Sequence, residues 1–135
     1  MSVVDFADVV VTYDGYPALA GATLRVESGE IVLVRGENGA GKSTLLRTIA
    51  GLMPIERGTA RVLGVDVVQH RQAVRARIGM LSHRNGLFLD LTARDNVEFW
   101  ARCVDATPKD VDDALDRMRL DRGLSSTVEI GRAHV

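Results

Sequence analysis

One glycine-rich segment constrains the fold of this chain more than any other feature. It reads Gly36-Glu37-Asn38-Gly39-Ala40-Gly41-Lys42-Ser43 and matches the pattern G-x-x-x-x-G-K-[ST] in full. A short apolar run at residues 31–34 precedes it, and residues 42–50 carry apolar side chains at helical spacing after it. A loop between a buried strand and an amphipathic helix is the setting in which this pattern binds phosphate.

The residue types in this loop suit a nucleotide. Its glycines let the backbone wrap around a phosphate with N–H groups pointing inward, and the helix that follows adds its positive end. Lys42 is expected to reach the β- and γ-phosphates, Ser43 to bind Mg²⁺ and Thr44 to contact the α-phosphate. Lysine is otherwise rare, since Lys109 is the only other lysine among the 17 Lys and Arg residues. The alternative is a glycine-rich turn that binds nothing.

Apolar patterning predicts strands around this loop. A valine-rich segment and an alternating segment favour two strands joined by a turn at Asp14-Gly15, while a continuous apolar run favours a strand covered on both faces. The predicted strands are residues 3–12, 22–27, 31–34 and 78–82, with a hairpin at 58–67. Together with the helices, they predict an α/β fold.

Two helices are predicted in the second half of the chain. Thr92 is the expected N-cap of the first helix, with Asp95 at the third position. Thr107 is the expected N-cap of the second, with Asp110 at the third position and Gly123 as its end. The apolar residues of the second helix are Val111, Ala114, Leu115 and Met118.

Composition narrows the class of protein. The chain has 135 residues, 46% of them hydrophobic and 26% charged, which is typical of a globular domain with one core. The single cysteine, Cys103, excludes a disulfide scaffold, and the net charge of −1 argues against nucleic acid as a partner. No apolar run is long enough to span a membrane, and the N-terminus lacks the layout of a signal peptide, so we expect a cytosolic chain.

The wider sequence resembles the nucleotide-binding subunit of ABC transporters over residues 1 to about 128. The resemblance is strongest at residues 36–46 and at Ile49-Ala50-Gly51-Leu52. Tyr13, in Thr12-Tyr13-Asp14-Gly15, falls where the family keeps an aromatic residue that stacks on adenine. Tyr16 is the alternative for that role.

This resemblance implies an architecture, a ligand and partners. It implies an α/β P-loop NTPase core, RecA-like, with an antiparallel β subdomain over residues 1–91 and the start of a helical subdomain over residues 92–128. It also implies ATP and Mg²⁺ as ligands, a second nucleotide-binding subunit and a membrane-spanning transporter subunit as partners, and a cytoplasmic position on the inner face of the cell membrane. ATP binding and hydrolysis would then drive transport.

His83 stands where most of the family has the glutamine of the Q-loop. The resemblance therefore implies that His83 touches the attacking water or couples to a partner, and the alternative is an ordinary loop histidine. A narrower resemblance, to the haem-exporter branch used in cytochrome c maturation, rests on residues 79–83, 91–93 and 96–100.

Parts that the family uses for hydrolysis do not occur in the sequence. No Asp is followed by Glu, so the Walker B aspartate with its catalytic base has no counterpart. Residues 124–128 begin like the family's signature motif but lack its glycines. Residues 129–135 look like the translation of a sequencing adapter, so we expect a truncated gene whose own coding sequence stops near residue 128. We therefore expect ATP binding without hydrolysis.

Two other functions stay open on the sequence alone. One is a different P-loop enzyme, a GTPase or a small-molecule kinase, although the guanine-reading pattern [NT]-K-x-D does not occur. The other is a module, or a non-functional fragment, that binds a nucleotide and catalyses nothing.

Overall fold

The computed structural model describes residues 1–84 and 86–120. It divides into a first unit of residues 1–80 and a second unit that begins at Leu81. The elements of the first unit are β1 (Ser2–Tyr13), β2 (Tyr16–Glu27), α1 (Lys42–Ile49), β3 (Arg57–Val62), β4 (Val65–Asp66) and α2 (Val67–Arg75). Those of the second unit are α3 (Ala93–Arg102) and α4 (Pro108–Arg117).

The first unit is built on a four-stranded antiparallel sheet with the order β2-β1-β3-β4. The turn at Asp14-Gly15 joins β1 to β2, and the turn at Leu63-Gly64 joins β3 to β4. The strand predicted at residues 3–12 and the hairpin predicted at 58–67 are confirmed as β1 and as β3 with β4. The strand predicted at 22–27 is part of β2, which begins earlier, at Tyr16. Both turns use a residue with positive φ before the glycine, at 50° for Asp14 and 51° for Leu63.

A β-bulge at Asp8 keeps one face of β1 in the core. The buried residues Val4 and Phe6 alternate normally, and the register between β1 and both of its neighbours shifts after this pair. Asp8 has a φ of 53°, and the extra residue returns Val9 and Val11 to the buried face. The core is completed by Leu19, Ala60, Val62, Val67 and Val74.

Helix α2 was not predicted from the sequence. Its N-cap is Asp66, whose carboxylate accepts hydrogen bonds from the N–H groups of Val68 and Gln69. Val67 and Val74 are buried in the core, whereas most of the remaining side chains of the helix face solvent. The backbone is non-helical at His70, which interrupts the regular spacing of apolar residues that marks a helix in a sequence.

Two predicted strands are wrong. Residues 31–34 and 78–82 form no strand, and Ile31 is 101% exposed and Leu33 72% exposed. A strand needs neighbouring strands to receive its backbone hydrogen bonds, and none of the described strands lies beside residues 31–34. The apolar pattern indicates residues that tend to be buried, but the neighbouring strands that would bury residues 31–34 are not present among the described residues.

The second unit confirms both predicted helix starts. In each helix the N-cap threonine side chain accepts a hydrogen bond from the N–H of the aspartate at the third helical position. The carboxylate of that aspartate in turn accepts one from the backbone N–H of the threonine; the pairs are Thr92 with Asp95 and Thr107 with Asp110. In α4, Val111 and Leu115 are buried, but Met118 lies beyond the helix and is largely exposed.

The predicted helix end at Gly123 is wrong, because α4 ends at Arg117 with Met118 as its C-cap. Arg119 has a φ of 55°, and the N–H of Leu120 donates to the carbonyl of Leu115 at 3.1 Å, so the chain leaves the helix there. The predicted tail at 129–135 lies outside the described residues.

A buried asparagine organises the segment before α3. Asn96 is 1% exposed, and its side-chain oxygen accepts a hydrogen bond from the N–H of Phe88 at 2.8 Å. Its amide nitrogen donates to the carbonyls of Phe88 at 2.9 Å and Thr92 at 3.0 Å. The side chain of Asn96 thus supplies hydrogen-bond partners that neighbouring backbone groups would supply if this segment were a helix or a strand.

Candidate functional site

The glycine-rich loop leads directly into α1. Gly39 and Gly41 have φ angles of 87° and 90°, in the left-handed region that favours glycine. Gly41 is the N-cap residue of α1, and the helix begins at Lys42, as the sequence predicts. The left-handed glycines turn the chain sharply, so the loop folds back over the start of the helix.

Gly41 also seats the loop against strand β2. A Cβ atom at this position would lie 2.5 Å from the carbonyl oxygen of Ala18 and 3.1 Å from Cδ2 of Leu19. At Gly39, a Cβ atom would meet nothing within 4 Å. The two glycines therefore have different reasons to be glycine: Gly39 for its backbone conformation alone, and Gly41 for its conformation and for close packing on β2.

The first turn of α1 presents unpaired N–H groups. The first of these helical N–H groups with a partner is that of Leu45, which donates to the carbonyl of Gly41 at 2.8 Å. Within the described residues, the N–H groups of Lys42, Ser43 and Thr44 have no acceptor, no side chain caps them, and no acid lies in this turn. Free N–H groups at the positive end of a helix favour an anion.

The ammonium group of Lys42 lies over the same loop. Its Nζ donates hydrogen bonds to the carbonyl oxygens of Gly36 at 2.7 Å and Glu37 at 2.6 Å. The loop residues 36–40 and Ser43 are exposed, so a ligand has access to them. A fixed cation, free N–H donors and a hydroxyl at Ser43 thus occur together. This donor set fits a phosphate chain with Mg²⁺, which keeps several water ligands and needs few from the protein.

Tyr13 and Tyr16 lie opposite each other at the end of the β1–β2 hairpin. They are partners in the sheet register, and their side chains are 62% and 77% exposed. Ala18, the residue that Gly41 approaches, follows Tyr16 by two positions. The hairpin end is therefore tied to the phosphate loop through β2, and both tyrosines remain candidates to stack on a base.

His83 belongs to the second unit and is exposed. Its predicted place beside the attacking water stays a prediction. Among the residues that the structure describes, no group of three or more His, Cys, Asp and Glu side chains is arranged to hold a metal ion.

Comparison with known proteins decides the family. The family model described as "ABC transporter" matches residues 19–132. The chain belongs to the ABC transporter family. A solved structure described as "Structure of ATP binding subunit of ABC transporter" superposes with a TM-score of 0.78 at 27% identity, covering 93% of this chain and 54% of that one. The predicted fold class, an α/β P-loop NTPase core with an antiparallel β subdomain, is thereby confirmed.

Curated relatives within the ABC transporter family differ in their named cargo. Phospholipid-transporting ATPase ABCA7 of Homo sapiens is 36% identical over 119 residues, which are 88% of this chain and 6% of that protein. Phosphonates import ATP-binding protein PhnC of Hyphomonas neptunium is 34% identical over 128 residues, 88% of this chain and 49% of that protein. The chain thus spans half or less of these relatives. No helix among the described residues is long and apolar enough to cross a membrane.

One part of the site of this ABC family member was not foreseen from the sequence. The backbone of Ala18 and the side chain of Leu19 form the surface on which Gly41 rests. A backbone carbonyl leaves no mark on residue type, and Ala18 is far from Gly41 along the chain. Only the pairing of strands β1 and β2 brings this support into place.

Proposed function

We propose that this ABC family member binds ATP with Mg²⁺ at residues 36–44. The observation that carries the proposal is the set of free N–H groups at Lys42, Ser43 and Thr44, next to the Lys42 ammonium group. Lys42 would exchange the carbonyls of Gly36 and Glu37 for the β- and γ-phosphate oxygens. The N–H groups of the first helical turn would hold the remaining phosphate charge.

Each remaining polar group of the loop has a proposed part. The Ser43 hydroxyl would bind Mg²⁺, and Thr44 would contact the α-phosphate. Gly36, Asn38, Gly39, Ala40 and Gly41 would supply the backbone that encloses the phosphates. The Mg²⁺ ion, when bound, would neutralise phosphate charge. Tyr13 would stack on adenine, with Tyr16 as the alternative, because both are exposed at the hairpin end.

The wider role proposed is that of a subunit coupling ATP to transport. A second nucleotide-binding subunit and a membrane-spanning subunit would be its partners, at the inner face of the cell membrane. His83 would relay the state of the nucleotide to the membrane partner.

We also propose that this chain binds ATP without hydrolysing it. The support is the sequence itself, which offers no Asp-Glu pair for a catalytic base. Phosphate release by the purified chain should stay at background with Mg²⁺ and ATP. Turnover that Lys42→Ala abolishes would contradict this proposal.

The haem-exporter branch is a narrower proposal. It rests on residues 79–83, 91–93 and 96–100 and on His83 in place of glutamine. A gene for a cytochrome-maturation membrane protein beside this gene would support it. A drug- or sugar-exporter gene at that place would count against it.

Isothermal titration with Mg²⁺ and ATP tests the binding proposal, with two lysine variants as a matched pair. Lys42→Ala should weaken ATP binding by roughly tenfold to a hundredfold, since it removes a hydrogen-bonded charge from the phosphates. Lys109→Ala removes the same charge from α4, where Lys109 pairs with Asp113 at 2.6 Å, and should bind like the unchanged chain. Equal affinity for all three proteins would overturn the proposal.

A further inference from the structure

A further β-bulge lies in β2, between the exposed tyrosines and the buried core. Val11 pairs with Leu19, whereas the next residue of β1 pairs with Pro17. Ala18 therefore has no partner in β1 and is the extra residue of the bulge. A bulge bends its strand and takes the extra residue out of the regular pairing, so the backbone of Ala18 is turned toward another part of the chain.

The residues at this bulge lie against the phosphate loop. The carbonyl oxygen of Ala18 would lie 2.5 Å from a Cβ atom at Gly41, and Cδ2 of Leu19 would lie 3.1 Å from that atom. Leu19 is 8% exposed and belongs to the core cluster, against which Leu45 of α1 also packs. The side chain of Leu19 therefore lies between the core and the residue that caps α1.

The other end of the same stretch of β2 carries the two tyrosines. Tyr13 and Tyr16 face each other in the sheet register and are both exposed, and we call them the tyrosine pair. Three residues of extended chain separate Tyr16 from Leu19, which is at most about 10 Å. This distance is of the same order as the length of a nucleoside with its first phosphate. One continuous piece of strand thus connects the two surfaces to which the base and the phosphates are proposed to bind.

We propose that Leu19 is a positioning residue that holds the phosphate loop at a fixed distance from the tyrosine pair, so that the site selects a nucleoside triphosphate over inorganic polyphosphate. A ligand gains from both surfaces only if their separation matches its own length, and a rigid support removes the cost of adjusting that separation on binding. Inorganic tripolyphosphate reaches only the loop, so its affinity does not depend on the separation. The inference rests on the proposed function, which assigns the phosphates to residues 36–44 and the base to the tyrosine pair.

Isothermal titration of the full chain with Mg²⁺ and either ATP or inorganic tripolyphosphate tests this proposal. The decisive quantity is the ratio of the two affinities, because a general loss of stability or of loop shape weakens both ligands alike. Leu19→Val withdraws the methyl group that reaches Gly41 and should lower the preference for ATP by roughly twofold to tenfold, the range that aromatic stacking contributes. Tyr13→Ala with Tyr16→Ala removes the stacking surface and should give the lowest preference.

Two variants serve as controls for Leu19→Val. Leu24→Val makes the same change farther along β2, opposite Phe6 and packed against the same core, and should leave the preference for ATP unchanged. Leu19→Met keeps the side-chain volume and its reach toward Gly41, so it should retain the preference of the unchanged chain.

Three results would overturn the positioning role: an unchanged preference in Leu19→Val, an equal fall in Leu24→Val, or a fall as large in Leu19→Met. A measurement without nucleotide separates this role from ATP binding itself. In heteronuclear magnetic resonance, Leu19→Val should shift the amide signals of Gly41 and Lys42, and Leu24→Val should leave them in place. If the unchanged chain binds neither ligand, the proposed function fails, and these amide signals still decide whether Leu19 positions the loop.

Discussion

Replacing Gly41 by alanine should destabilise the first unit by more than its backbone angle alone explains. The new methyl group would lie 2.5 Å from the carbonyl oxygen of Ala18, within a strand that pairs with β1. An alanine at a φ of 90° costs about 1–2 kcal/mol, and moving a packed backbone adds about 1–3 kcal/mol. The expected loss in the free energy of unfolding is therefore about 2–5 kcal/mol.

Gly39→Ala provides the matched control. Its φ of 87° is nearly the same, but a Cβ atom there meets nothing within 4 Å. Only the conformational cost of about 1–2 kcal/mol should remain. Urea unfolding followed by far-ultraviolet circular dichroism gives both losses, and titration with ATP shows whether the loop still binds.

The difference between the two variants is the decisive quantity. If Gly41→Ala is no less stable than Gly39→Ala, then the loop does not rest on β2 and this description of the site is wrong. If Gly41→Ala is less stable and also binds ATP more weakly, then the support from β2 sets the loop geometry.

Three further results are expected. The pKa of Asp95 is lowered because the hydroxyl and N–H of Thr92 donate hydrogen bonds to its carboxylate, so the capping box stabilises α3 at pH values above the ordinary pKa of 3.8. Circular dichroism should show this stability being lost as the pH falls through the lowered pKa of Asp95, and Asp95→Asn should make the stability of α3 less dependent on pH. Asn96→Ala should lower the free energy of unfolding by about 1–3 kcal/mol and speed hydrogen exchange at the amide of Phe88, because the backbone N–H and C=O of Phe88 lose the hydrogen bonds that Asn96 provides. Unchanged exchange at Phe88 would show that Asn96 does not hold this segment. Leu33→Lys should reduce light scattering in concentrated solution, since it breaks the exposed apolar run, and equal scattering would contradict this.

Local chemistry allowed the sequence to predict the helix starts. At α3 and α4, a threonine and the aspartate three residues later satisfy the free ends of the same helix, so every partner lies within a few residues. The start of α1 at Lys42 was predictable for a similar reason, since the glycine before it permits the turn that ends the loop.

Features that depend on distant partners were not predictable. Residues 31–34 have the apolar pattern of a covered strand, but pattern alone does not say whether neighbouring strands are present. Helix α2 is interrupted at His70 and capped by Asp66, which also ends strand β4, so its start was read as part of a hairpin. The contact between Gly41 and Ala18 depends on strand pairing, and residue type carries no signal of it.

The most direct test of ATP binding at this loop is a residue-by-residue measurement of amide environments. Heteronuclear magnetic resonance with Mg²⁺ and ATP should shift the amide signals of Gly39, Gly41, Lys42, Ser43 and Thr44, because their N–H groups would gain phosphate acceptors. The signals of α4 should stay in place and serve as the internal reference. Saturable ATP binding that leaves the first turn of α1 unshifted would contradict the proposed site.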